Sequence, residues 1–157
     1  MTLPPLSLYI HIPWCVQKCP YCDFNSHGVD RFKAATDTPQ DAGLPEQEYI
    51  AALMRDLDAD LAGAQGRPLT SIFFGGGTPS LFSPEAIGQI LQGVEQRIPF
   101  ADDIEITLEA NPGTVEQARF EGYREAGVNR LSIGIQSFDP ALPKAPARPV
   151  LPALTLT

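Results

Sequence analysis

The sequence predicts an α/β fold built on a parallel sheet of about four strands. Short apolar segments alternate with longer segments whose apolar residues recur at the helical period, in the order strand, loop, helix, strand, helix, strand, helix, strand. The last three strands begin roughly 30 residues apart, which is the length of one βα unit. Such alternation implies parallel strands that are joined by right-handed crossovers.

A long polar segment separates the first strand from the first helix. The strand is predicted over residues 8–12 and stops at Pro13. Residues 25–45 are rich in Asp, Thr, Gly and Pro, which predicts a loop. The helix that follows should end near Gly63. Its apolar residues at helical spacing are Tyr49, Ile50, Leu53, Met54, Leu57 and Leu61.

The second strand, at residues 71–74, precedes the clearest helix signal in the chain. Ser83 is a good N-cap residue, and Pro84 suits the first position of a helix. An apolar stripe follows, which predicts an amphipathic helix. Its members are Ile87, Ile90, Leu91, Val94 and Ile98.

A third helix is predicted between the last two strands. Those strands are predicted at residues 103–108 and 131–135. Thr114 and Gln117 have the spacing of a capping box at the start of the helix, and Gly127 ends it. The residues expected to face the core are Phe120 and Tyr123.

Composition and charge limit the classes of function. The 157 residues suggest one domain, and 43% hydrophobic residues allow a buried core. The formal charge of −8, from 11 basic and 19 acidic residues, argues against a nucleic-acid or anionic-membrane surface. No apolar run approaches the ~20 residues of a membrane helix, and the N-terminus does not resemble a secretory signal. The expected location is the cytoplasm.

The cysteines are the most informative residues. Cys15, Cys19 and Cys22 are the only three, and they lie within eight residues of one another. An odd, clustered set is a poor disulfide framework and is more typical of metal ligation. A four-iron, four-sulfur cluster has four corners, so three thiolates leave one iron open.

A zinc site is the alternative to an iron–sulfur cluster. Structural zinc needs four ligands, so a histidine would have to complete the set. His11 and His27 are the two candidates. His11 lies in the first strand, where a packed side chain is the simpler expectation, and His27 lies in the predicted loop. The spacing favours the cluster over zinc but leaves both open.

A glycine-rich turn follows the second strand. Gly75, Gly76 and Gly77 are followed by Thr78 and Pro79. Glycine allows backbone groups to approach a ligand closely. The turn matches neither a phosphate-binding loop nor the dinucleotide fingerprint. On its own it fits an ordinary tight turn equally well.

Polar residues also stand at the ends of the third and fourth strands. Strand alternation places Ile104, Ile106 and Leu108 on one face and Glu105, Thr107 and Glu109 on the other. A carboxylate at Glu109 could accept hydrogen bonds from ribose hydroxyls, or it could be a surface residue. Gln136 could be a ligand amide or a turn residue. All these motifs follow the C-terminal ends of parallel strands, the face where barrel enzymes place their sites.

Together the motifs resemble a known family. Tyr-Ile-His-Ile-Pro at residues 9–13, followed by Cys-x3-Cys-x2-Cys, resembles the radical S-adenosylmethionine (SAM) superfamily. Gly-Gly-Gly-Thr-Pro-Ser, Glu-Ala-Asn-Pro-Gly and Ile-Gly-Ile-Gln-Ser-Phe are similar to the branch of HemW-type heme chaperones and oxygen-independent coproporphyrinogen III oxidases. The resemblance covers residues 7–140 and implies the first half of a partial TIM-like (β/α) barrel.

The resemblance implies a role for each matching residue. A [4Fe-4S] cluster would be held by Cys15, Cys19 and Cys22. The open iron would bind the amino and carboxylate groups of S-adenosyl-L-methionine. The methionine end would be met by Gly76, Gly77 and Thr78. The ribose would be held by Glu109 and Gln136, and the nucleoside pocket would be lined by Tyr9 and Tyr21.

Phe24 separates the two branches of the resembled family. The oxidases carry a further cysteine two residues after the third ligand, and this chain has Phe24 there. That favours a heme chaperone, which would bind heme and pass it to an acceptor protein and would need an electron donor. A porphyrin-biosynthesis oxidase and an inactive fragment are the alternatives.

The C-terminal tail departs from the family pattern. Proline recurs from residue 140 at every third position and prevents a helix, so residues 140–157 are expected to be disordered or in a polyproline conformation. Residues 1–139 are interpreted as the N-terminal part of a radical SAM core domain. A truncated or frameshifted reading frame is our hypothesis for the tail. The heme site of the family is then expected to lie outside this chain.

Overall fold

The computed structural model of the chain describes residues 3–16, 22–29, 43–110 and 119–134. In chain order, the strands are β1 (Leu6–Ile12), β2 (Trp14–Cys15), β3 (His27–Gly28), β4 (Leu69–Gly76), β5 (Phe100–Ala110) and β6 (Arg130–Ile133). The α-helices are α1 (Glu46–Asp60), α2 (Pro84–Glu95) and α3 (Phe120–Glu125). Two short 3-10 helices span Leu61–Ala64 and Pro79–Leu81.

A four-stranded parallel sheet forms the framework, in the order β1-β4-β5-β6. Every adjacent pair in this sheet is parallel. Each crossover therefore moves one place in the same direction, as in the wall of a βα barrel. The α/β fold with about four parallel strands, predicted from the alternation of segments, is confirmed.

The two faces of the sheet differ in character, as strand alternation predicts. The face toward the helices is apolar and buried, and its core residues include Ile10, Ile12, Ile72, Phe74, Ile106 and Leu108. The opposite face carries Tyr9, His11, Glu105, Thr107 and Glu109. Thr107 is fully buried on that polar face, where its hydroxyl group contacts Glu105 and the Arg130 guanidinium at 3.2 Å each.

The helix predictions hold where the structure describes them. Ser83 is the N-cap of α2, and its Oγ accepts a hydrogen bond from the Ala86 N–H at 3.1 Å. Tyr123 is fully buried in the core, and Phe120 packs against it. Gly127 follows α3 with a φ of +113°, a conformation that favours glycine. Thr114 and Gln117 lie outside the described residues.

One part of the predicted loop is wrong. His27–Gly28, inside the segment 25–45 that was expected to be a loop, forms strand β3 and pairs in parallel with β2. A pair of two-residue strands has no apolar periodicity, so the sequence carries no signal for it. The helix of this region begins at Glu46, directly after the predicted loop ends.

The segment after β4 is fixed by two neighbouring helices. From α3, the Tyr123 hydroxyl group lies 2.7 Å from the carbonyl oxygens of both Ser80 and Phe82, which share its one proton. From α1, the Glu46 carboxylate accepts from the backbone N–H of Ser83 at 2.6 Å and from its hydroxyl group at 2.7 Å. Residues 80–83 therefore have a defined position relative to both helices. Among the helices described, none is long and apolar enough to span a bilayer.

Candidate cofactor site

The cysteine segment starts where β1 ends and is closed on itself by the β2–β3 pair. The His27 N–H donates to the Pro13 carbonyl at 2.7 Å, and the Val29 N–H donates to the Cys15 carbonyl at 2.9 Å. The chain therefore leaves and returns at the same point beside the C-terminal end of β1. The two ends of the cysteine segment therefore lie side by side at the edge where barrel enzymes place their sites.

Two of the three cysteines lie within the described residues. Cys15 ends β2, and Cys22 lies in the segment that leads to β3. Both are free thiols and are partly buried. Free, partly accessible thiols are available for metal ligation as thiolates. Cys19 and Tyr21, which the sequence also assigns to the site, lie outside the described residues.

An aromatic cluster holds the residue that precedes Cys15. Trp14 is 7% exposed, and its ring lies 5.1 Å from that of Tyr49 and 5.5 Å from that of Phe82, between centroids. Tyr49 and Phe82 meet edge to face at 5.4 Å. Aromatic pairs at these distances pack favourably beyond their burial. Tyr49 of α1 and Phe82 of the segment after β4 therefore hold the start of the cysteine loop in place.

Tyr49 also bonds directly to β1. Its hydroxyl group donates to the carbonyl oxygen of His11. Burial, followed by the charge of Asp56, raises the pKa of Tyr49 to about 12. Burial raises this pKa because it penalises the charged phenolate. Tyr49 is therefore a neutral donor at physiological pH.

The glycine turn after β4 forms hydrogen bonds to the residues on either side of Pro13. The Gly77 N–H donates to the Ile12 carbonyl at 2.7 Å, and the Thr78 N–H donates to the Trp14 carbonyl at 2.7 Å. The pairing of β4 with β1 therefore continues past the end of the sheet to the residue before Cys15. These two bonds fix the position of the glycine turn relative to the cysteine loop.

The glycines of the turn admit the chain's own atoms. A Cβ on Gly77 would lie 2.5 Å from the Trp14 carbonyl oxygen and 2.9 Å from that of Ile12. Gly76 has a φ of +110°, and a Cβ there would lie 2.7 Å from the His11 ring. Real Cβ atoms do not approach other atoms so closely. The interpretation that these glycines allow a ligand to approach is therefore incomplete. Their missing side chains first leave room for the backbone of Ile12 and Trp14 and for the His11 ring.

His11 joins β1 to the segment that follows Cys22. Its Nε2 donates to the Asn25 carbonyl at 2.8 Å, because a carbonyl can only accept. Its Nδ1 then accepts from the Tyr9 hydroxyl group at 3.1 Å. Both ring nitrogens are engaged, so His11 is the packed strand histidine that the sequence predicts. Its use as a fourth zinc ligand would break one of these bonds.

The predicted nucleoside residues Tyr9 and Glu109 lie on the same face of the sheet. The Tyr9 ring is 54% exposed and stacks on Phe73 at 6.2 Å, with an interplanar angle of 17°. Partial burial, followed by the negative charge of Glu109, raises the pKa of Tyr9. Glu109 is partly buried and pairs with Ser132 of β6. Gln136 lies outside the described residues.

Several residues of this site have no signal in the sequence. Tyr49 is part of an apolar helical stripe and Phe82 precedes a helix cap, so both are expected in the core whatever the function. Asn25 contributes only its backbone carbonyl, which no side-chain pattern reveals. Ser26 is 1% exposed, and its hydroxyl group has no hydrogen-bond partner among the described residues.

The architecture and the site together define the class of the protein. A profile of the radical SAM superfamily matches residues 9–154. The chain therefore belongs to the radical SAM superfamily, as its motifs predict. Its parallel sheet is part of the TIM-like barrel of that superfamily, because it matches a solved member of the barrel class over most of its length.

One solved structure and several curated proteins are similar to this chain. The solved structure is coproporphyrinogen III oxidase (HemN) from Escherichia coli, a radical SAM enzyme. It matches with a TM-score of 0.69 and a sequence identity of 29%. The match covers 86% of this chain and 29% of the HemN chain. The heme chaperone HemW of Haemophilus influenzae is 60% identical over 141 residues, and that of Escherichia coli is 59% identical over 136. A mitochondrial radical SAM domain-containing protein 1 of Bos taurus is 39% identical over 133 residues.

The matched region is a part of each relative. It covers 87% of this chain in both bacterial HemW proteins, but only 34% and 33% of their own lengths. For the Bos taurus protein, the shares are 85% and 27%. The chain thus spans about a third of the length of the HemW relatives that it matches.

The close approach at Gly77 predicts a strong effect of adding one methyl group. Gly77→Ala should lower the free energy of unfolding by about 3 kcal/mol, because backbone atoms must move to relieve the contact. Urea denaturation of the purified chain measures this. Gly63→Ala is the matched control, because a Cβ there has nothing within 4 Å. Equal stability of the two variants would contradict the proposed packing of the turn.

The raised pKa of Tyr49 predicts a distinct loss of stability at high pH. The unfolded chain releases this proton near pH 10, whereas the folded chain keeps it until about pH 12. The folded state therefore binds more protons in that window, and the free energy of unfolding falls as pH rises through it. Urea denaturation of the wild type and Tyr49→Phe from pH 8 to 12 measures the difference.

At pH 8 the wild type should be more stable than Tyr49→Phe by about 1 kcal/mol, the usual net contribution of one hydrogen bond. That advantage should shrink above pH 10, since only the wild type has the buried phenol. A constant difference across the pH series would show that the phenol of residue 49 is not protected from ionisation.

Proposed function

We propose that this chain is the cofactor-binding part of a HemW-type heme chaperone, holding a [4Fe-4S] cluster and S-adenosylmethionine. The observation that carries the proposal is the 60% identity to the heme chaperone HemW of Haemophilus influenzae over nearly the whole chain. Phe24 supports it, because it stands where the resembled oxidases have a further cysteine. Heme and a heme-acceptor protein are the implied partners.

The residues of the cysteine loop fit a metal cluster. Cys15 and Cys22 are free thiols in a loop that is closed at its base, and Ser26 brings an unpartnered buried hydroxyl group to the same loop. Cys15, Cys19 and Cys22 would supply the thiolate ligands, which leaves one iron without a protein thiolate. When bound, the cluster and S-adenosylmethionine supply radical chemistry.

The glycine turn suits the charged amino group of the methionine end. The N–H groups of Gly77 and Thr78 already donate to backbone carbonyls of the chain. Because these two N–H groups are not available to a ligand, a ligand group that donates hydrogen bonds, such as an ammonium group, suits this turn better than one that accepts them. This supports the contact of Gly76, Gly77 and Thr78 with that end of S-adenosylmethionine, which the resemblance implies.

The polar face of the sheet suits the nucleoside end. The half-exposed Tyr9 ring, supported by Phe73, offers a flat surface beside the cysteine loop. Glu109 has a carboxylate on the same face, which can accept hydrogen bonds from ribose hydroxyl groups. Tyr21 and Gln136 complete the proposed set by resemblance alone. A cytoplasmic location and a separate electron donor remain predictions from the sequence.

Two alternatives rest on specific observations. The structural similarity to coproporphyrinogen III oxidase of Escherichia coli favours an oxidase of porphyrin biosynthesis, but at 29% identity it is the more distant relationship. The second alternative is a chain that keeps only the cofactor site; the matched region spans about a third of the length of the HemW relatives. The heme chaperone remains the proposal because the identity to HemW is twice as high.

The cluster assignment predicts the metal content of the chain. Anaerobic reconstitution with iron and sulfide should give about four irons and about four sulfides per chain. Cys15→Ala, Cys19→Ala and Cys22→Ala should each lose most of that iron, because each removes one of three thiolates. Iron and sulfide assays, together with zinc analysis, measure this.

Val16→Ala is the matched control for these variants. Val16 lies beside Cys15 and is 58% exposed, so its truncation should leave the iron content unchanged. Addition of S-adenosylmethionine should perturb the electron paramagnetic resonance spectrum of the reduced wild-type cluster. Retention of zinc without sulfide, or full iron content in the three cysteine variants, would contradict the assignment.

A heme titration asks whether this chain alone binds heme, although the heme site of the resembled family is expected to lie outside it. A shift of the heme absorption band on titration into the cluster-loaded chain would support the chaperone. A loaded chain that leaves heme unchanged and converts coproporphyrinogen III would support the oxidase. A loaded chain that does neither would support the fragment.

A further inference from the structure

One buried polar group of the described structure is left without a partner. Ser26 is 1% exposed, and its Oγ is the only buried side-chain oxygen or nitrogen in the described ranges that forms no hydrogen bond. A buried hydroxyl group in this state costs about 1–3 kcal/mol relative to a hydrogen-bonded one. Native proteins seldom keep such a group unless something else supplies the partner.

The position of Ser26 narrows what that partner can be. It is four residues beyond Cys22, and both neighbours are fixed in place. The Asn25 carbonyl accepts from His11 at 2.8 Å, and the His27 N–H donates to the Pro13 carbonyl at 2.7 Å. The backbone on either side is thus fixed against β1 and the residues around β2, and Ser26 between them is held in its buried position.

Ser26 belongs to the same closed loop as the metal-ligating thiols. β3 follows it directly and pairs with β2, which ends at Cys15. Loading adds sulfide ions to this loop and converts its free thiols into iron-bound thiolates. Both accept hydrogen bonds, and hydrogen bonds to the sulfurs help to set the reduction potential of an iron–sulfur cluster.

We infer that the Ser26 hydroxyl group is a positioning and tuning donor that bonds a sulfur of the cluster site once the cluster is in place. The inference rests on the proposed function, since it needs the cluster. Reduction adds negative charge to the cluster, and a donor stabilises that charge. Ser26 therefore raises the reduction potential and slows the loss of iron, while it destabilises the cofactor-free chain.

Ser26→Ala tests this through effects of opposite sign. In the cofactor-free chain, the substitution removes an unpartnered hydroxyl group, so the urea midpoint should be unchanged or higher. In the loaded chain, the midpoint potential should become more negative. Iron should also be released to a chelator about fivefold faster, as expected for one lost hydrogen bond. A redox titration followed by electron paramagnetic resonance and a chelator assay measure the two effects.

Thr107→Val is the matched control. Thr107 is also fully buried, but its hydroxyl group contacts Glu105 and Arg130 within the protein. Its loss should lower the urea midpoint of the cofactor-free chain and leave the reduction potential unchanged. Opposite effects of the two substitutions on the urea midpoint and on the reduction potential would distinguish a hydroxyl group that bonds the cluster from one with a purely structural role.

Three outcomes would overturn the inference. If Ser26→Ala destabilises the cofactor-free chain as Thr107→Val does, the hydroxyl group already has a partner, such as a buried water molecule. If the wild type loads iron and sulfide but Ser26→Ala has the same potential and the same rate of iron release, only the role of Ser26 fails. If the wild type takes up no cluster, the proposed function fails and the inference fails with it.

Discussion

Two backbone hydrogen bonds connect the functional motifs of this chain to each other. The N–H groups of Gly77 and Thr78 donate to the carbonyl oxygens of Ile12 and Trp14, on either side of Pro13. Pro13 lacks an N–H group and so interrupts the regular pairing of β1 with β4. The two hydrogen bonds continue this pairing beyond Pro13. The start of the cysteine loop and the glycine turn thus form one rigid unit at the end of the sheet.

The surrounding structure supports this unit from several sides. Trp14 is packed in an aromatic cluster with Tyr49 and Phe82, while His11 connects β1 to the segment after Cys22. A site that must hold a cofactor benefits from ligands whose positions are set before binding. The pairing of β2 with β3 brings the two ends of the cysteine loop together. The cysteine loop, the glycine turn and the sheet face with Tyr9 and Glu109 are therefore neighbours at one edge of the sheet.

The sequence predicts the elements and the motifs but not the contacts between motifs. Each strand of the main sheet carries an apolar run, so periodicity finds it, and the cysteine spacing alone indicates metal ligation. The β2–β3 pair is too short for any periodic signal. The bond from His11 to Asn25 uses a backbone carbonyl, and the need for glycine at Gly77 comes from the Trp14 carbonyl. Such contacts depend on three-dimensional proximity, which local patterns do not encode.

The most direct test of the connected site is hydrogen exchange of the Gly77 and Thr78 amides in the cofactor-free chain, followed by nuclear magnetic resonance. If the turn is bonded to β1 and β2 before any cofactor binds, these amides should be protected about as strongly as that of Phe74 in the middle of β4. Exchange as fast as in an unstructured peptide, with protection only after iron and sulfide are added, would contradict the account. The turn would then be formed by the cofactor rather than by the fold.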